Sequence, residues 1–172
     1  NNTDEIVLSR NPQEILNIFT ILIWAKLALK DSNWNPSATH LDTIEKLAPI
    51  LRHLRHSDAG LPRFHGSCGD VDGQLDQALS HAENRETSRN ELSVGFARLS
   101  NSRTTIIIDA APPPIGKPSF IADASTLAFE MVSGQRRIFT SCGPGYLFGS
   151  DFSSVSRQTS SHCAVYLEGH NS

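Results

Sequence analysis

Imidazole and guanidinium groups cluster in this sequence more densely than its composition requires. Arg52-His53-Leu54-Arg55-His56 places two of each within five residues, and Arg63-Phe64-His65-Gly66 follows shortly after. A histidine titrates near neutral pH and can take or give a proton. The arginine fork matches a carboxylate, so Arg52 or Arg55 could bind an acidic group. In the last turn of a helix the same residues would complement the helix dipole. His65 has Gly66 and Gly69 beside it, which allow backbone to approach a ligand closely. His65 is therefore either a base facing a cleft or a histidine held in a loop. Farther along stand Asp123, readable as a turn residue bonding its own backbone, and His162, just ahead of an apolar run. Arg136-Arg137, after Gly134, reads as a solvated turn.

The segments that must position these groups change character along the chain. Asn11-Pro12-Gln13-Glu14 is a helix start, with Asn11 as cap and Pro12 at the first helical position. The helix should run to about Lys30. Its apolar residues fall on nearly every face, so neighbours are expected on most sides. The run Ile15 to Leu29 is too short and too interrupted for a membrane span, which needs roughly 20 apolar residues, and reads as a buried core helix.

A second helix is predicted over 39–56. Leu41, Ile44, Leu47, Leu51 and Leu54 make one stripe, with Pro49 expected to kink or divide it. A third is predicted over 71–83. The polar stretch 83–90 marks a boundary. Beyond it five strands are predicted: 94–99, 104–109, 126–132, 137–141 and 164–168. Asn101-Ser102 signals a hairpin between the first two, and Ile106-Ile107-Ile108 should be buried on both faces. Helices followed by strands define an α+β chain with an antiparallel sheet.

Composition narrows the function classes. The chain has 172 residues, 38% of them hydrophobic, and a net charge of −3, which gives no general basic footprint for nucleic acid. Its three cysteines form neither an even disulfide framework nor a CxxC zinc motif. The first residues are not a basic signal-peptide start, and there is no initiator Met, so a processed or truncated product is expected.

Several segments, taken in order, resemble the heparinase II/III-like polysaccharide lyases, in particular an α-proteobacterial branch. They are Ser9-Arg10-Asn11-Pro12, the passage from Leu51 through Gly66, Gly95-Phe96-Ala97-Arg98-Leu99, Ser125 through Met131, and Thr159-Ser160-Ser161-His162. The resemblance implies the last helices of an (α/α) toroid over 1–86. The first strands of an antiparallel β-sandwich would follow over 87–172. It implies a bacterial protein of the periplasm or cell envelope, acting on an acidic polysaccharide. Family enzymes cleave uronic-acid polymers by β-elimination. A base removes the proton α to the carboxylate, an acid protonates the leaving oxygen, and neutralising the carboxylate makes that proton removable.

The resemblance also assigns roles. His65 would be a catalytic base or sugar contact, and Arg52 and Arg55 would bind the acidic sugar. His162 matches a metal-ligand histidine of the family. Asp123 stands where the family has its first ligand histidine, and Ser141 where it has a carboxylate ligand. Zinc on Asp123 and His162 is therefore expected, with a weakened ligand set. Other family groups are replaced here: Val7 stands at a histidine position, and Gln13 and Glu14 where a catalytic tyrosine follows. The tyrosines present, Tyr146 and Tyr166, lie in the β part. The chain alone should lack lyase activity. The competing expectation is a non-catalytic carbohydrate-binding or structural remnant, and the third is an unrelated α+β interaction module.

Overall fold

The structure, a computed structural model, describes residues 8–69, 73–85 and 92–172. Helix α1 spans Pro12–Asp31, and the Asn11 side chain caps it by accepting from the Gln13 and Glu14 amides. Helix α2 spans Ala38–Leu54 under a Ser37 cap. Pro49 lies inside α2 without dividing it, so the expected break is absent and the helix ends two residues early. Helix α3 is short, Gln74–Ser80. Part of its predicted span, Val71 and Asp72, lies outside the described residues, as do residues 86–90 of the expected boundary.

Five strands form one antiparallel sheet in sequence order: β1 Leu92–Ser93, β2 Phe96–Asn101, β3 Thr104–Asp109, β4 Phe129–Ser133 and β5 Arg136–Phe139. Two-residue turns join β1 to β2, β2 to β3 and β4 to β5. The segment 164–168 is not a strand. It makes a single bridge, Leu167 to His170, while Val165 and Leu167 stay exposed with no strand beside them among the described residues. A short helix, α4, covers Ser150–Val155.

Helices and sheet share one core. Ile15, Phe19, Leu47, Leu51 and Leu54 of α1 and α2 meet Phe64, Phe96, Ile107 and Ala128. Phe64 stacks on Phe96 with centroids 5.8 Å apart. Helix α1 turns one side inward and leaves Ile21 and Trp24 exposed, so its neighbours cover fewer faces than expected. It is also the one described helix long and apolar enough to cross a membrane by length and composition.

Strand β3 corrects a second expectation. Thr105, Ile107 and Asp109 are buried, while Ile106 and Ile108 are only half-buried. Register pairs those two with Leu99, Met131, Ala97 and Phe129 on the sheet's outer face. The inner face instead carries charge, because Asp109 and Glu130 point with Ile107 toward the helices.

Candidate functional site

The end of β3 delivers Asp109 into the junction between sheet and helices, where it is 1% exposed. Its carboxylate pairs with the Arg10 guanidinium and accepts from Ser125 Oγ at 2.6 Å. Arg10 stands just before the α1 cap. Its remaining N–H groups donate to the carbonyls of Val94, Gly95, Ala111 and Pro112, so all five of its donors are engaged. It also lies 4.7 Å from the Phe96 ring centroid. Burial disfavours the Asp109 charge, but the His65 contact and Arg10 outweigh it and hold the carboxyl below its usual range.

His65 has no exposed surface. Its Nδ1 accepts from the Asp123 amide at 3.2 Å, while its own amide donates to Asp123 Oδ2. That acceptor role puts the ring proton on Nε2, which lies 3.1 Å from Asp109 Oδ2 in a close but poorly aligned contact. The imidazole is thus held on both sides and buried. Of the two sequence readings of His65, a base facing a cleft and a histidine held in a loop, this burial and these contacts are those of the second.

Asp123 is 7% exposed, and burial pushes its carboxyl up to about 6 against the opposing pull of His65. It forms the inner wall of a 180 Å³ pocket together with Asn11, Ile121, Tyr146 and Arg157. That is smaller than the roughly 300–1,000 Å³ of a complete ligand pocket, so it suits a subsite. Arg157 is held in place by donating to the carbonyls of Ala122 and Ser119.

A second buried carboxylate, Glu130 of β4, accepts from the amides of Arg63 and Ser141, both at 3.0 Å. Its other oxygen lies 3.5 Å from His56 Nε2 and 3.8 Å from Arg137 Nη1. Arg137 also bonds Asp58 at 2.9 Å, so it ties the sheet to the end of α2 rather than forming a solvated turn. His162 is 8% exposed, with neither ring nitrogen hydrogen-bonded. Burial, followed by the neighbouring His65, pushes it down to about 4, so the ring is neutral at physiological pH.

Zinc does not fit this donor set. Among the described residues no group of three or more His, Cys, Asp or Glu side chains converges as a metal ion requires. Asp123 is occupied by the His65 backbone, and Ser141 offers a buried hydroxyl without a partner. A structural zinc site needs four strong ligands and a catalytic one three.

Of the two arginines singled out in the sequence, Arg55 is already bidentate to Asp76, at 2.7 and 2.9 Å. Arg52 lines a separate pocket of 560 Å³ with Arg55, Asp76, Arg85 and Arg98. Arg10, Asp109, Glu130, Arg85 and Arg98 were not anticipated. An acid closing a run of three isoleucines, and another within Phe129-Glu130-Met131, were the visible signals for the first buried carboxylates.

An α+β chain whose helices close over a charged inner sheet face is the class this geometry defines. A family description, heparinase II/III-like C-terminal, matches residues 84–172, just over half of the chain. The chain belongs to the heparinase II/III-like family. Its fold superposes on a heparinase III with methylated lysines at a TM-score of 0.72 and 19% identity, over 96% of this chain and 30% of that one. It superposes on a mutant of the heparan sulfate lyase HepC from Pedobacter heparinus at 0.70 and 16%, again over 96% and 30%. FtsZ-localized protein C of Caulobacter vibrioides is 32% identical over 101 residues, 58% of this chain and 18% of that protein. The chain thus spans under a third of the length of each of these relatives.

Proposed function

We propose that this chain binds an acidic polysaccharide in the periplasm or cell envelope and does not itself carry out β-elimination. One observation carries the second half: His65, the expected base, is fully buried between Asp109 and Asp123. Family membership supports the first half, together with the Asp123 pocket, where Asn11, Tyr146 and Arg157 offer polar contacts to a sugar ring. In a longer family enzyme, elimination would draw its base and acid from elsewhere, including the toroid to which α1–α3 would belong.

The chain should bind heparan sulfate or alginate chains in calorimetry. The ultraviolet absorbance of an unsaturated uronate, the product of α-proton removal followed by elimination, should not grow. A rise in that absorbance sinks the non-catalytic half.

A second reading is favoured by the 32% identity to FtsZ-localized protein C, well above that to the lyase structures. Here the chain is a structural remnant in a protein of that kind. The same calorimetry decides, since this reading requires that no polysaccharide binds.

A further inference from the structure

The 560 Å³ pocket between α2, α3 and β2 is separate from the Asp123 subsite and has an unusual charge balance. Arg52, Arg55, Arg85 and Arg98 line it, and among the described residues Asp76 is the one carboxylate lining it. The whole chain has a net charge of −3, so four arginines around one cavity run against its overall charge.

Three of the four arginines are held in different ways. Arg98 reaches across from β2, and its Nη1 donates to the carbonyls of His53 and Arg55 at the end of α2. Those carbonyls are left over where the helix stops, so Arg98 is anchored whether or not the pocket is filled. Arg55 is bidentate to Asp76 of α3. Arg52 differs from both: its side chain is only partly buried, but its Nη1 is shielded and has no hydrogen-bond partner. A shielded N–H donor left unpaired carries a cost, and a nearby anion that accepted from it would relieve that cost. The like charges press on each other as well. Burial lowers the Arg52 pKa, with Arg85 adding to it, and burial followed by Arg55 does the same to Arg98.

The kind of anion follows from geometry. One arginine fork satisfies one planar carboxylate, and this pocket already contains such a pair in Arg55 and Asp76. The surplus donors come from α2, from β2 and from Arg85, so they approach from several directions. That arrangement suits a group presenting three oxygens rather than two. We propose that the Arg52–Arg85–Arg98 pocket binds a tetrahedral oxyanion. On the polysaccharide reading above, this would be a sulfate ester of the glycan, and otherwise a free phosphate or sulfate.

Calorimetry on the whole chain tests this, with inorganic sulfate, inorganic phosphate, a sulfated heparan chain and the same chain desulfated. Arg52→Gln and Arg85→Gln should each weaken sulfate and sulfated-chain binding about tenfold, the usual scale of one charge-assisted contact. Arg136→Gln, on the distant β4–β5 hairpin, should leave binding unchanged, and thermal melts confirm that each variant is folded. The desulfated chain should bind at least about tenfold more weakly than the sulfated one. If only the inorganic ions bind, and do so through Arg52, the oxyanion pocket stands and the polysaccharide reading falls. If folded Arg52→Gln and Arg85→Gln bind like the parent, or Arg136→Gln loses as much as they do, the pocket proposal is overturned.

Discussion

Asp109 meets three side chains at once, and each would lose a contact without it. Arg10, Ser125 and His65 all turn toward its carboxylate inside the junction. Removing one partner of a buried ion pair costs about 3–5 kcal/mol, because the other charge stays behind. Asp109→Ala should lower unfolding stability by about that much in a urea titration. A loss under about 1 kcal/mol would mean that the Arg10 carbonyl contacts alone hold the junction. The residue types of this network were legible in the sequence, but their roles were not. His65 meets Asp123 across 58 positions and Arg10 meets Asp109 across 99. A histidine beside glycines looks accessible until the partner that buries it arrives from another element. Arg137 was misread for the same reason, since its partner Asp58 lies 79 positions away.

Among the elements, sequence periodicity located the helices and the 104–109 strand well, because apolar spacing and the Asn11 cap are local signals. It failed at Val94-Gly95. Valine favours strands, yet here both residues have positive φ and form the two-residue turn between β1 and β2. The turn exists to bring backbone up to Arg10. A Cβ on Gly95 would lie 2.6 Å from the Ala111 Cβ and 2.8 Å from Arg10 Nε. Gly134, in the β4–β5 turn, also has positive φ but has nothing within 4 Å. Gly134→Ala should therefore cost about 1–2 kcal/mol, the penalty of a left-handed residue alone. Gly95→Ala should cost about 1–3 kcal/mol more, from overpacking against Arg10 and Ala111. Paired thermal melts compare the two, and equal losses would show that the Arg10 approach is not tight. The segment 164–168 carried a strand signal for similar local reasons. A strand also needs a neighbour, and none adjoins it among the described residues.

At the scale of the molecule, two buried groups act on stability in opposite directions over one pH range. Asp123 is pushed up to about 6, so the folded state holds its proton more tightly than the unfolded chain does. Its contribution is fully present below about pH 4 and is lost as pH rises toward 6. His162 is pushed down to about 4, so the unfolded chain binds its proton first. Its contribution is present above about pH 6.5 and is lost as pH falls toward 4. At about 1.4 kcal/mol per pKa unit, each effect is on the order of 3 kcal/mol, so between pH 4 and 6 they should largely cancel. Asp109 adds a fall at lower pH, since its folded carboxyl is held below the usual range. The parent chain should show a nearly flat urea midpoint from pH 4.5 to about 6. Asp123→Asn should turn that plateau into a rise with pH, and His162→Gln should turn it into a fall. The double variant, which lacks both groups, should be flat again. Like slopes in the two single variants would mean that burial does not set these two protonation states.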